Sequence, residues 1–386
     1  MSELLNGRWS ETKEALLEGL QGTKKSVMGV TLENTRKYLM ESPTAGATSA
    51  GNVATLNRVI LPVIRRVMPT VIANELVGVQ PMTGPVGQIH TLRVRYADSA
   101  TGVTAGEEAL SPFKIAEAYS GNDTSPAKAA STATLEGAAG KRMSIQILKQ
   151  TVEAKTRKLS ARWTFEAAQD AQAQQGIDIE AEVMAALAQE ITAEIDQEIL
   201  ASLASLAGSA TEQFDQNQVS GTATFVGDEH AALAVQINRV SNLIAQRTRR
   251  GAGNWAVVSP FALTILQSAT TSAFARTTEG TFEAPTNTKF VGTLNNAMKI
   301  YVNTYANDTT DVLIGYKGSS ESDAAAFYCP YSPLMSSGVV LDPSTFEPVV
   351  SFMTRYGYVE LSNTASSLGN AADYLGKVSL ANVSFK

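Results

Sequence analysis

Apolar residues recur four apart through residues 176–203, GIDIEAEVMAALAQEITAEIDQEILASL: Val183, Leu187, Ile191, Ile195 and Ile199, with Met184 and Ala188 beside them. That spacing predicts one long helix, about 40 Å at about 1.5 Å per residue, with a continuous core-facing stripe. Glu190, Glu194 and Glu198 form a second row on another face, and no Lys or Arg occurs between Arg162 and Arg239. Like charges at this spacing oppose an isolated helix by roughly 0.2–0.5 kcal/mol per pair. The acidic row therefore needs cations from elsewhere.

They lie immediately upstream. Residues 141–162 carry Lys141, Arg142, Lys149, Lys155, Arg157, Lys158 and Arg162 against the single acid Glu153. A basic arm and an acidic helix can pair within one chain, or the arm of one copy can lie on the helix of the next in a repeating assembly. The bland alternative is two solvated charged faces. The sharper expectation is the second pairing, with Lys149, Lys155, Arg157 and Lys158 meeting Glu190, Glu194 and Glu198 as inter-subunit charge contacts.

Elsewhere the pattern changes period. His90, Leu92, Val94 and Tyr96 alternate with Thr91, Arg93 and Arg95, predicting a strand over 88–96. Over forty residues rich in Ala, Gly, Ser and Thr follow, with Phe113 and Tyr119 the aromatics, before a basic strand returns over 144–158. A loop longer than about 12–15 residues is unusual inside a compact domain, and a lone hairpin is marginal in water. Such a projection is expected to lie on something, most simply a neighbouring subunit. Helices are predicted at 163–175, separated from the long helix at Gly176, and at 230–249 with Leu233, Ile237, Val240 and Ile244 inward. Strands are predicted at 255–258, 288–293, 298–303, 311–316 and 325–329, giving an α/β lobe over 230–335. Residues 338–360 and 376–386 then return to the inner region. The sum is a two-lobed α+β chain with a discontinuous inner domain. At the front, residues 1–41 hold six acids and six bases around Leu16, Leu17 and Leu20. The small, polar stretch 42–52 reads as a linker, and Pro62 and Pro69 break the apolar run that begins at Leu56 into short turns.

Composition narrows the function. A formal net charge of −6 argues against a protein whose main task is gripping a phosphate backbone. No apolar run approaches 18 residues and the N-terminus lacks a signal-peptide core, so neither a membrane span nor secretion is expected. One cysteine, Cys329, excludes an internal disulfide and reads as a small buried residue. With His90 and His230 as the sole histidines, the usual zinc sites lack ligands. No Walker loop, Gly-x-Ser-x-Gly elbow or His-Glu-x-x-His occurs. Gly251 and Gly253 follow a helix and precede a strand, the reverse of what a dinucleotide fingerprint needs, and Arg247, Arg249 and Arg250 fit a helix C-terminus. The expectation is a protein with no catalytic residues, metal or cofactor.

The blocks PVIRRVMPTVIANELVGVQPMTGPVGQIHTLRVRY (62–96), TVEAKTRKLSARWTFEAAQDAQAQQGIDIEAEVMAALAQEITAEIDQEI (151–199), RGAGNWAVVSP (250–260), VGTLNNAMKIYV (291–302), DVLIGYKG (311–318) and YCPYSPL with FEPVVSFMTRYG (328–357) resemble, in order, the major capsid proteins of tailed phages, most closely those of T-even-like myoviruses. The resemblance implies the α+β Hong Kong 97 capsid fold. It assigns 1–41 to a helical propeptide or scaffold-interacting head, 42–90 to an N-terminal arm and 91–162 to an extended loop. It further assigns 163–229 to a peripheral domain with the spine helix, 230–337 to an axial domain and 338–386 to the returning segment of the peripheral domain. It implies self-assembly into hexamers and pentamers of an icosahedral head around double-stranded DNA, without sequence-specific DNA binding or a membrane. A scaffold protein, prohead protease, portal and decoration proteins would be the partners, with assembly in the host cytoplasm. Family proteases cut after an apolar-x-Glu tripeptide, so Leu39-Met40-Glu41 implies cleavage between Glu41 and Ser42; Leu16-Leu17-Glu18 carries the same pattern. Residues 97–140 are too short for the family's inserted extra domain. The alternatives are a bacterial nanocompartment shell and a soluble enzyme with a site in the axial lobe.

Overall fold

The computed structural model describes residues 22–41, 73–107, 140–175, 178–219, 226–269, 289–295, 297–307, 310–321, 323–362 and 370–383, with shorter pieces at 9, 13–14, 17, 109, 119–121, 129–136 and 274–276. The linker 42–52, the apolar run from Leu56 to residue 72, Phe113 and Gly176 lie outside the described residues. The main helices are α1 (Gly22–Glu41), α2 (Phe165–Gln175), α3 (Ile179–Leu206), α4 (Val226–Thr248) and α5 (Pro260–Ser268). The strands in the first half are β1 (Gly78–Val79), β2 (Val86–Tyr96), β3 (Met143–Glu153), β4 (Lys155–Arg162) and β5 (Glu212–Asp215). Those following are β6 (Trp255–Val258), β7 (Phe274–Arg276), β8 (Lys289–Leu294), β9 (Met298–Val302) and β10 (Val312–Gly315). The last are β11 (Ala326–Ser336), β12 (Val340–Leu341), β13 (Pro348–Glu360) and β14 (Leu375–Ala381). Contacts divide the chain into one unit of residues 1–87, 151–201 and 327–359, and a second of 88–150, 202–326 and 360–386.

In the first unit the sheet runs β1, β11, β13, β12, with β4 also on β13. β4 and β13 are antiparallel over eight residue pairs, from Val349 opposite Arg162 to Tyr356 opposite Lys155. The predicted stripe of α3 is its core face: Met184, Leu187, Ile191, Ile195 and Ile199 are buried, while Glu190, Glu194 and Glu198 are exposed. Asp178 accepts from the Glu180 N–H at 3.0 Å, and Glu180 and Glu182 in the first turn suit the positive end of the helix dipole. The basic strand expected over 144–158 is two strands. They break at Ala154, whose N–H leaves the ladder and donates to the Pro85 carbonyl at 2.9 Å.

The second unit is built on a seven-stranded sheet ordered β5, β14, β10, β6, β9, β8, β7. β6 with β9 and β5 with β14 are parallel, and the other pairs are antiparallel. Leu233, Ile237, Val240 and Ile244 of α4 form one core with Ala262, Ile265 and Leu266 of α5 and with Ile300, Val312, Ile314 and Val378 of the sheet. Helix α5 is absent from the sequence reading although its start is signalled there. Pro260 occupies the first turn and the Ser259 side chain accepts from the Ala262 N–H at 3.2 Å. The final strand also differs from expectation. The pattern of residues 376–386 points to the returning inner segment, yet β14 lies between β10 and β5 in this sheet, because Val378 belongs to its core and β10 would otherwise present an unpaired edge.

Candidate assembly surface

The acidic row finds its cation on β4. Alternation along the strand turns Arg157 to the face on which α3 lies, and the helix repeat brings Glu194 and Glu198 to one side of it. The guanidinium donates from Nη1 to Glu194 Oε2 at 2.6 Å and from Nη2 to Glu198 Oε2 at 2.5 Å. Its Nε donates to Tyr356 Oη at 2.6 Å, and the same hydroxyl donates to Glu198. Tyr356 faces Lys155 across the β4–β13 ladder, so it is the diagonal neighbour of Arg157 on one sheet face. Its ring packs on Tyr328 of β11 at 5.4 Å between centroids. Helix, β4, β13 and β11 are thereby joined through one guanidinium and two phenol rings.

Burial alone would make Arg157 easier to deprotonate, but the bonds to Glu198 and Tyr356 outweigh it and hold its pKa above the usual arginine value. For Glu198 burial pushes upward, yet Arg157, Tyr356 and the nearby charge of Lys155 bring it below the ordinary carboxylate value. Burial first, then the Glu198 carboxylate, raises Tyr356. Burial likewise lifts the Cys329 thiol to about 11, so the lone cysteine stays protonated.

Of the residues expected to make inter-subunit contacts, Arg157, Glu194 and Glu198 therefore meet within one chain. Lys158, of opposite parity on β4, is exposed, as are Lys149, Lys155 and Glu190. Glu41 is the last residue of α1, and Ser42 lies outside the described residues. Tyr356 was missed because it is 199 residues from Arg157, and nothing local in MTRYGYVE marks it as a partner.

In the second unit, β2 and β3 form a two-stranded ribbon of their own. One face is open and apolar: Leu92, Met143, Ile145 and Ile147 are exposed at 65%, 53%, 67% and 64%, with His90 and Lys149 on the same parity. The base of the ribbon is pinned. Tyr96 and Tyr119 have ring centroids 4.6 Å apart in a small core with Val103 and Ala109. The Tyr119 hydroxyl donates to the Arg142 carbonyl, and the Arg142 N–H donates to Asp98 at 2.8 Å. That backbone bond is the main reason the Asp98 carboxyl lies below its ordinary pKa.

Also in the second unit, Arg250 pairs with Asp323 at 2.8 Å beside Tyr316. Among the described residues no three His, Cys, Asp or Glu side chains converge as a metal site would require, and no helix is long and apolar enough to cross a membrane.

The sequence matches the family described as Major capsid protein Gp23 over residues 53–138 and 114–380. The major capsid protein of Vibrio phage KVP40 is 31% identical, covering 85% of this chain and 81% of the relative. That of Enterobacteria phage T4 is 30% identical, covering 81% and 76%. Among solved structures, a chain from Mycobacterium phage Bobi superposes with a TM-score of 0.47 at 12% identity, covering 80% of this chain and 89% of that one. The capsid of Myoviridae phage XM1 gives 0.45 at 10%, covering 80% and 91%.

Proposed function

The chain belongs to the Gp23 family of major capsid proteins, and from that premise we propose that it self-assembles into the hexamers and pentamers of an icosahedral phage head enclosing double-stranded DNA. Its place is the virion capsid, and its work is structural. The observation that carries the mechanism is the ribbon of β2 and β3, with four large apolar side chains open to solvent along one face. A two-stranded ribbon with that face in water is marginal, and an apolar patch of this kind marks a protein contact. A second copy covers it. Contacts of this heterologous type close into rings when the rotation allows. Once a subunit is held at several edges, each remaining contact forms at high effective concentration. Lys149, Lys158 and Glu190, exposed in the single chain, supply further charge contacts between copies.

A scaffold protein, a prohead protease, a portal and decoration proteins are the partners proposed for assembly. Cleavage between Glu41 and Ser42 would release the whole of α1. No catalytic step is assigned to the chain.

The test is the double substitution Ile145→Asp, Ile147→Asp. Circular dichroism and thermal melting should match the natural chain, since both side chains are exposed, while electron microscopy should find no rings or shells. Shells formed normally by this variant would remove the ribbon from the mechanism.

A further inference from the structure

Strands β2 and β3 pair with each other and, among the described residues, with no other strand. No tight turn joins them: Asp98 and Arg142, which meet at the base of the ribbon, are 44 positions apart in the chain. The turn geometry that fixes the register of an ordinary hairpin therefore has no part here. The side-chain pattern helps little. Ile145 and Ile147 fall on one face of β3, Leu148 and Val152 on the other, so apolar residues mark both. Backbone bonds close the two ends: Ala154 N–H donates to the Pro85 carbonyl, and at the base Ala97 N–H donates to the Arg142 carbonyl, each at 2.9 Å. The two bonds are twelve positions apart on either strand, so neither strand carries an extra residue between them.

The end of a two-stranded ribbon frays unless something holds it. At the base a side chain from outside both strands does so. The Tyr119 hydroxyl accepts from the Asp98 N–H at 3.2 Å and donates to the Arg142 carbonyl, so one oxygen bridges the two strand ends. The Asp98 carboxylate crosses the same gap: Oδ2 accepts from the Arg142 N–H at 2.8 Å, and Oδ1 lies 3.6 Å from the Arg142 guanidinium. The phenol ring is fixed in turn, buried against Tyr96 and with the Lys141 ammonium 5.8 Å from its centroid. Met143 follows Arg142 directly, as the first residue of β3.

We propose that Tyr119 and Asp98 are positioning residues for assembly: they keep the base of the ribbon closed and in register, so that Leu92, Met143, Ile145 and Ile147 stay together on one open face. Tyr119 is buried and acts through the strands rather than on a neighbour. With the clasp undone, β3 can pair again one residue out of step. Because side chains alternate with a period of two, Ile145 and Ile147 then turn to the face on which Arg93 and Arg95 are buried. The contact face is lost although none of its residues has changed. This rests on the reading of the ribbon as a contact between copies.

The test uses the full chain with Tyr119→Phe, which removes one oxygen and keeps the ring on Tyr96. Hydrogen exchange over residues 143–149 should be about tenfold faster, with α4 and the seven-stranded sheet unchanged. Sedimentation velocity should find association beginning at about tenfold higher protein concentration than in the natural chain. Asp98→Ala should act in the same direction. Adding Ala97→Cys and Arg142→Cys to Tyr119→Phe sets two thiols at the pair joined by the Ala97–Arg142 bond. Their disulfide should restore slow exchange and the natural threshold, and reduction should abolish the rescue. Exchange as slow in Tyr119→Phe as in the natural chain would overturn the clasp. Fast exchange with the natural threshold would overturn its role in assembly. A stapled ribbon that exchanges slowly yet still associates poorly would show that Tyr119 does not act by positioning the strands. A natural chain that stays single at every concentration would overturn the reading of the ribbon itself.

Discussion

Arg157 loses water on entering the first unit and regains more than it loses from Glu198 and Tyr356, which is why its pKa is raised although burial opposes it. Removing it by Arg157→Ala leaves Glu194 and Glu198 four residues apart without the guanidinium that bonds both. We expect a loss of about 1–2 kcal/mol in urea unfolding, the lower part of the range for charged hydrogen bonds because both carboxylates keep over 40% exposure. Arg157→Lys should recover only part of it, since a point charge cannot reach all three acceptors. The titrations have definite signs. Glu198 has a lowered folded pKa, so its contribution is complete above the ordinary carboxylate value and disappears as pH falls through the folded value. Tyr356 has a raised folded pKa, so its contribution is complete below the ordinary phenol value and is lost as pH rises through the folded one. Stability curves of the natural chain and Arg157→Ala should therefore converge on the acid side. Curves that stay parallel until the carboxylates are fully protonated would show that Glu198 makes no such contact.

At the scale of elements, helices with a clear 3.6-residue stripe and strands in short apolar runs were legible, because each satisfies its own backbone locally or along one face. The α3 stripe, the inward face of α4 and the strand at 255–258 all stand where periodicity put them. Pairings across long sequence separations were not. Placing β14 in the seven-stranded sheet required knowing that β10 had an open edge, and Tyr356 and Tyr119 act through partners far away in the chain. Gly315 is a similar case. It stands opposite Trp255 in the β10–β6 register, and a Cβ there would lie 2.1 Å from the indole. Gly315→Ala should therefore cost about 1–3 kcal/mol in the second unit, as overpacking does, with a shift in Trp255 fluorescence. A neutral result would mean that the indole moves aside freely.

Across the whole molecule, labour is divided. The clamp of Arg157, Glu194, Glu198 and Tyr356 stabilises a single chain internally, and we propose that the ribbon and the remaining charges meet other copies. A net charge of −6 suits such a wall, since packaged DNA is confined by a closed shell and need not be gripped by it. Sedimentation velocity of the purified full-length chain over a wide concentration range addresses this most directly. Species of capsomer or shell size that grow with concentration are expected. A single 40.9 kDa species at every concentration would contradict it.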